Sequence, residues 1–76
     1  MFSYKMDVLE ELKKRGYTTY VLRKEKYLSQ TTLANLRHGK PVNIESLNAI
    51  CVMLRKPPED ILSFSISDEE KVKYFI

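Results

Sequence analysis

The feature that most constrains this chain is a helix-start pattern that occurs three times in its middle part. Each time, a side chain able to cap a helix follows an apolar residue, and a second apolar residue comes four positions after the cap. Two apolar residues so placed form a hydrophobic staple across the start of a helix. The three sets are Tyr17-Thr18-Leu22, Leu28-Ser29-Leu33 and Val42-Asn43-Leu47. Starts this close together predict a bundle of short helices joined by brief loops.

Together with the residues that end helices, these starts predict five helices, at about residues 4–15, 19–26, 30–38, 44–55 and 58–62. In the first, Met6, Leu9 and Leu12 form an apolar stripe, and acidic residues precede basic ones, as the helix dipole favours. Gly16 and Gly39 supply the left-handed residue that ends a helix. Pro57 and Pro58 stop the fourth helix. The predicted core residues of the third and fourth helices are Leu28, Leu33, Leu36, Leu47, Ile50, Cys51 and Leu54.

Residues 63–76 form a tail that can be interpreted in two ways. Phe64-Ser65-Ile66 and Val72-Lys73-Tyr74 alternate in polarity, which favours strands in a hairpin around residues 67–70. The run Ser67 to Glu70 equally fits a capping box that opens a last helix; the alternation leads us to prefer strand. The apolar tail residues, which include Ile76, either cover the domain's own core by pairing with residues 2–4 or form a dimer interface.

Length and composition narrow the function classes. Seventy-six residues predict one domain, spanning residues 1–76. The single cysteine, Cys51, excludes an internal disulfide and a cysteine-based zinc cluster. There is no signal peptide and no apolar run of membrane-spanning length, so we predict a cytoplasmic protein without a membrane partner. The one histidine, His38, has no base partner nearby in sequence, and we predict no enzyme, catalytic residue, metal site or cofactor.

Positive charge is concentrated in one stretch of the chain. Residues 13–40 carry eight basic residues against Glu25 alone, whereas residues 57–76 carry two basic residues against five acidic ones. A basic surface favours a polyanionic partner, because neutralising phosphates releases counterions. The alternative is a solvated basic face without a ligand.

Residues 18–39 have the pattern of a helix-turn-helix unit, two short helices joined by a tight turn. The second helix of such a unit enters the major groove with its first residues against the base edges. Gln30 and Asn35 carry amides that can bond an adenine edge, and the Thr31 methyl can touch thymine. Ala34 keeps this face slim. The pattern therefore predicts a face that reads double-stranded DNA; the alternative is a solvated polar face.

The order and spacing of these motifs resemble the Cro/C1-type (XRE-family) helix-turn-helix regulators, in particular short single-domain ones of Gram-positive bacteria and their mobile elements. The resemblance covers about residues 4–64. It rests on Gly16-Tyr17-Thr18, Leu22, Leu28-Ser29-x-x-Thr32-Leu33-x-x-Leu36-x-x-Gly39-Lys40, Leu47-x-x-Ile50-Cys51-x-x-Leu54 and Pro58-Glu59-Asp60-Ile61-Leu62. It implies an all-α, five-helix lambda-repressor-like domain, here with a small terminal β-strand pair as an option, that binds a palindromic operator as a homodimer.

Carried over by position, the resemblance makes Gln30, Thr31 and Asn35 the base contacts. It makes Thr19, His38 and Lys40 contacts to the DNA backbone. We add three further residues to the predicted backbone contacts: Tyr20, Thr32 and Arg37. The alternative for Tyr20 is that it packs on the first helix. The alternative for Arg37 is that it forms a surface ion pair.

Two residues depart from the family pattern. Arg23 stands where a small alanine usually lies between the second and third helices, and Tyr27 stands where the turn usually has glycine. A tyrosine with positive φ would be strained, so we expect a differently shaped turn or a longer second helix. The predicted function is a sequence-specific, repressor-like transcriptional regulator. The alternative is an antitoxin or accessory module that binds a protein partner through its tail.

Overall fold

The computed structural model describes residues 1–75, which form six helices and two short strands. In chain order these are β1 (Phe2–Tyr4), α1 (Val8–Lys14), α2 (Thr19–Lys24), α3 (Gln30–Arg37), α4 (Ile44–Leu54), α5 (Pro58–Ile61), β2 (Leu62–Phe64) and α6 (Asp68–Tyr74). The helical bundle is the predicted fold class, and the strand pair is present as well. No helix within residues 1–75 is both long and apolar enough to cross a membrane.

All three predicted N-caps are confirmed. The side chains of Thr18, Ser29 and Asn43 accept hydrogen bonds from the backbone N–H groups three residues later. Each bond satisfies one of the N–H groups that a helix start leaves without an intrahelical partner. The caps explain why the starts of α2, α3 and α4 coincide with the predicted ones.

The first helix begins later than predicted. It starts at Val8 and not at residue 4, because the Asp7 carboxylate accepts a hydrogen bond from Glu10 N at 3.2 Å and caps the helix there. The residues before it pair as β1 with β2, in the register Phe2 to Phe64 and Tyr4 to Leu62. The periodic Met6 therefore precedes the helix, where it still packs against the core.

Four helices end in the same hydrogen-bonded turn, the Schellman motif. In α1 and α3 its left-handed residue is a glycine, Gly16 or Gly39, as predicted. In α2 that residue is Lys26, with φ 59°, and Tyr27 N donates to Leu22 O at 3.0 Å. The strain expected for Tyr27 is therefore absent, because the second helix ends at Lys24, earlier than predicted, and Lys26 adopts the positive φ. Arg55, with φ 56°, does the same after α4.

The core consists of leucine, isoleucine and valine side chains from α1 to α5 and the α2–α3 turn. Its members are Val8, Leu12, Leu22, Leu28, Leu33, Leu36, Ile50, Leu54 and Ile61. The core residues predicted for α3 and its staple are all buried. On α4, Ile50 and Leu54 are buried, whereas Leu47 and Cys51 are half-buried. Cys51 packs against the core and burial raises the pKa of its thiol.

The tail combines both interpretations of the sequence. Leu62–Phe64 forms the strand that pairs with the N-terminus, and the Phe2 and Phe64 rings lie 4.9 Å apart. Our preference for strand over Val72-Lys73-Tyr74 was wrong, since these residues belong to α6. The capping box decides this: Glu70 N donates to Ser67 Oγ, and Ser67 N donates to Glu70 Oε1. Ile76 lies outside the described residues.

The Glu70 carboxylate of the capping box also interacts with the amino terminus of the chain. Its hydrogen bond from the Ser67 backbone, together with one from the amino terminus, lowers the pKa of the Glu70 carboxyl. No side chain of α6 is buried, and Val72 and Phe75 are exposed. Residues 68–74 therefore add little to the core.

We predict that Lys26→Gly stabilises the domain by about 0.5–1 kcal/mol, because glycine adopts the left-handed region without a Cβ clash. Chemical denaturation measures this change. Lys24→Gly, within α2, is the matched control and should lower the free energy of unfolding by about 1 kcal/mol. Equal losses for the two variants would show that Lys26 does not have the left-handed conformation.

Candidate nucleic-acid interface

The orientation of α3 is set by its inner face. Leu33 and Leu36 are buried in the core, and α1 packs against α3. The helix ends at Arg37, and in the turn that follows Lys40 N donates to Asn35 O at 2.7 Å. Both ends of the helix are thus closed by hydrogen bonds, and its opposite face is left to solvent.

Thr32 belongs to the inner face. Only 7% of its surface is exposed, and its Oγ1 accepts a hydrogen bond from Ser29 Oγ at 2.9 Å. The Ser46 hydroxyl on α4 lies 3.3 Å from the same oxygen. Thr32 joins the start of α3 to α4, so we assign it this structural role and do not retain it among the proposed backbone contacts.

The predicted base-contacting residues lie on the outer part of α3. Gln30 and Thr31 are exposed, and Asn35 is half-buried. Thr31, Ala34 and His38 are spaced by three and four residues, so they share one outward face. Gln30 and Arg37, two turns apart, lie along one edge of that face. The structure thus brings together small and polar side chains on a surface open to a partner.

A notch between α2 and α3 brings two predicted backbone contacts together. Thr19 at the start of α2 and Arg37 at the end of α3 both line this notch, which has a volume of about 330 Å³. Asp7, Glu10 and Lys13 from the start and middle of the α1 region line it as well. Its charge is therefore mixed, and the two acidic side chains weaken its attraction for a phosphate.

A second notch lies at the other end of the α2–α3 pair. It has a volume of about 410 Å³ and is lined by Arg23, Lys26, Leu28, Ser29 and Gln30. Arg23, which replaces the usual small residue, is exposed and lines this notch. From the sequence, Arg23 and Lys26 are either phosphate contacts or ordinary solubility charges, and only the fold puts them beside Gln30.

The loop after α3 holds two further predicted backbone contacts. His38 and Lys40 are exposed on either side of Gly39. Tyr4 Oη donates a hydrogen bond to Lys40 O at 2.7 Å, and burial raises the pKa of this tyrosine. Tyr4 thereby joins β1 to the end of α3. Its role went unpredicted, because no local pattern links residues so far apart in sequence.

Tyr20 is 63% exposed, and Lys24 Nζ lies 5.7 Å from the centroid of its ring. This excludes the alternative of a core contact and leaves the ring accessible at the surface of α2.

The helix starts differ in charge. Within residues 1–75, α2 and α3 are the helices without an acidic residue in the first turn, whereas α1, α4, α5 and α6 each have at least one. Acidic side chains there offset the positive end of the helix dipole. The positive end of α3 is not offset in this way, which suits a surface that approaches phosphate groups.

Comparison with known families gives a match that agrees with this geometry. The sequence profile of the Cro/C1-type HTH DNA-binding domain matches residues 8–66. This chain is a member of the Cro/C1-type helix-turn-helix DNA-binding family. Searches of curated proteins and of solved structures gave no significant match.

The matched region has clear structural limits. It begins at Val8, the first residue of α1, and ends just before Ser67, the cap of α6. The Cro/C1-type domain thus comprises α1 to α5 with β2. The first strand β1 and helix α6 lie outside the match, although β1 pairs with β2. DNA binding is the function of the family. Within residues 1–75, no group of three His, Cys, Asp or Glu side chains lies close enough together to hold a metal ion.

We predict that Thr32→Val lowers the free energy of unfolding by about 1 kcal/mol, because the Ser29 and Ser46 hydroxyls lose their partner. The affinity for DNA at a fixed salt concentration should not change. Thr31→Val is the matched control: it should change stability by less than about 0.5 kcal/mol, yet alter DNA affinity. Thermal denaturation and a DNA titration of both variants provide the test. A loss of DNA affinity in Thr32→Val that is the same for every DNA sequence would restore the predicted backbone contact.

Proposed function

We propose that this protein is a sequence-specific transcriptional regulator of the repressor type, which binds double-stranded DNA through α3. The observation that carries the proposal is the contrast between the two faces of this helix. Thr32, Leu33 and Leu36 hold the inner face, while Gln30 and Thr31 are exposed at a helix start without acidic residues. The major groove accepts a helix start whose side chains are small and polar, and a helix dipole that no acidic residue offsets favours the approach to phosphates.

In this proposal the side chains divide into two groups. Gln30, Thr31 and Asn35 contact base edges and select the sequence. Thr19, Tyr20, Arg37, His38 and Lys40 lie around them and contact the sugar-phosphate backbone, which sets the register of the helix in the groove. The mechanism is occupancy: the bound regulator denies the site to polymerase. It acts where the DNA is, in the cytoplasm.

We further propose that the regulator binds as a homodimer. Two copies of α3 would enter successive major grooves about 34 Å apart, on a palindromic site. An apolar groove of about 400 Å³ supports an association surface. It is lined by apolar side chains from β1, β2, the α4 start and the loop before it, among them Phe2, Tyr4, Val42, Ile44 and Leu62.

The test is enrichment from a pool of random duplex DNA at two salt concentrations, for the wild type and for Gln30→Ala with Asn35→Ala. We expect the wild type to enrich a palindromic consensus with a steep salt dependence. Each lost base contact should cost roughly 1–3 kcal/mol, so the double variant should lose the consensus and keep weak binding.

The control is Glu45→Ala with Asn48→Ala, which alters two exposed residues of α4 and leaves α3 intact. These substitutions should preserve the consensus. A wild type that enriches no sequence, or a Gln30/Asn35 variant with the wild-type consensus, would refute base reading by α3.

The second candidate function is a protein-interaction module, such as an antitoxin or accessory regulator. One observation favours it: α6 has no buried side chain, and Val72 and Tyr74 in the helix and Phe75 after it are exposed. The tail does not complete the matched domain, and its apolar side chains remain available to a protein partner.

We predict that removing residues 67–76 changes the free energy of unfolding by less than about 0.5 kcal/mol, because α6 makes only surface contacts. If the tail binds a partner or a second copy, truncation abolishes that association and preserves the enriched DNA sequence. Denaturation, sedimentation and DNA enrichment measure the three effects. A Val72→Lys variant serves as a milder form of the same change. A loss of several kcal/mol would show that α6 covers the core after all.

A further inference from the structure

We propose that Arg23 and Lys26 bind a DNA backbone phosphate next to the base that Gln30 contacts. This inference rests on the proposed DNA-binding function and adds a site to it. The two residues come from the end of α2 and from the turn after it, and they share one notch with the first residue of α3.

The notch contains only positive and neutral side chains. Besides the two basic residues, it is lined by Leu28, Ser29 and Gln30. Neither Arg23 nor Lys26 forms an ion pair with any residue in the described part of the chain, and both are exposed. A site with two cations and no carboxylate has a strong preference for an anion, because nothing in it competes for the positive charge.

The backbone around Lys26 is well defined. Its N–H donates to Arg23 O at 3.2 Å and its φ is 59°, so this residue occupies the left-handed position of the Schellman motif. A lysine in this position costs stability that a glycine would not. The charge is therefore placed beside Gln30 at a structural cost, and a phosphate contact gives a functional reason for it.

The other notch provides a comparison within the same molecule. Thr19 and Arg37 line it together with Asp7 and Glu10, so an approaching phosphate meets two carboxylates there. The first notch adjoins the end of α3 at Arg37, and the second adjoins its start at Gln30. The notch near its start has the more favourable charge, and it adjoins the residue proposed to enter the major groove.

The ligand is a phosphodiester group. Arginine presents a planar fork that matches two phosphate oxygens, and lysine adds a point charge. A phosphate bound here would contribute to affinity for any sequence and would anchor the start of α3 against the groove wall. It would leave the choice of base to Gln30.

The experiment compares salt dependence of binding to the enriched DNA for the wild type and for Arg23→Gln with Lys26→Asn. Glutamine preserves helix propensity at position 23, and asparagine tolerates the left-handed conformation at position 26. Lys24→Gln is the matched control, since Lys24 lies over the Tyr20 ring and does not line the notch. Circular dichroism verifies that all variants fold.

We expect the double variant to keep the consensus and to lower the salt slope by about one unit, because each neutralised phosphate contributes about 0.9. Lys24→Gln should leave the slope unchanged. A scan with neutral methylphosphonate linkages should then locate one position that weakens the wild type and leaves the double variant unaffected.

Equal slopes for the wild type and the double variant would overturn this inference alone, as would an equal reduction by Lys24→Gln. An identical methylphosphonate profile for the two proteins would do the same. If the wild type enriched no sequence and showed no salt dependence, the proposed function would fail, and this inference with it.

Discussion

The burial of one face of α3 is the constraint on which the rest of the structure depends. Leu33 and Leu36 place this face in the core, and Thr32 joins it to Ser29 and Ser46 through buried hydroxyl groups. A helix held in this way has no freedom to rotate about its axis, because rotation would expose leucine and bury amides. The polar residues of the opposite face therefore have one orientation, which a sequence-reading surface requires.

The charged residues beside the start of α3 differ from those beside its end. The helix start at Gln30 has no acidic residue in its first turn, and the adjoining notch holds Arg23 and Lys26. Near Arg37, at the end of the helix, Asp7 and Glu10 reduce the positive potential. The notch beside Gln30 is thus lined by positive and neutral side chains, whereas the notch beside Arg37 is lined by both charges. Net charge alone could not have shown this difference within one helix.

Local signals predicted most of the fold. The caps at Thr18, Ser29 and Asn43 and the glycines after α1 and α3 act within a few residues, so their effect is readable from spacing. The start of α1 was misplaced because the competing strand pair joins residues 2–4 to residues 62–64, a contact that no local pattern reveals. The tail was misassigned because alternating polarity outweighed a capping box in our interpretation, although the cap is the stronger local signal for a helix start.

The sequence by itself determined the starts of α2, α3 and α4, the core stripe and the polar face of α3, because each follows from side-chain chemistry at helical spacing. Tertiary structure alone decided three further points. It assigned positive φ to Lys26 in place of Tyr27, since the last turn of α2 closes one residue earlier. It buried Thr32 against α4, and it placed Arg23 and Lys26 beside Gln30. These points depend on how helices pack, and packing brings together residues whose separation in the chain carries no periodic signal.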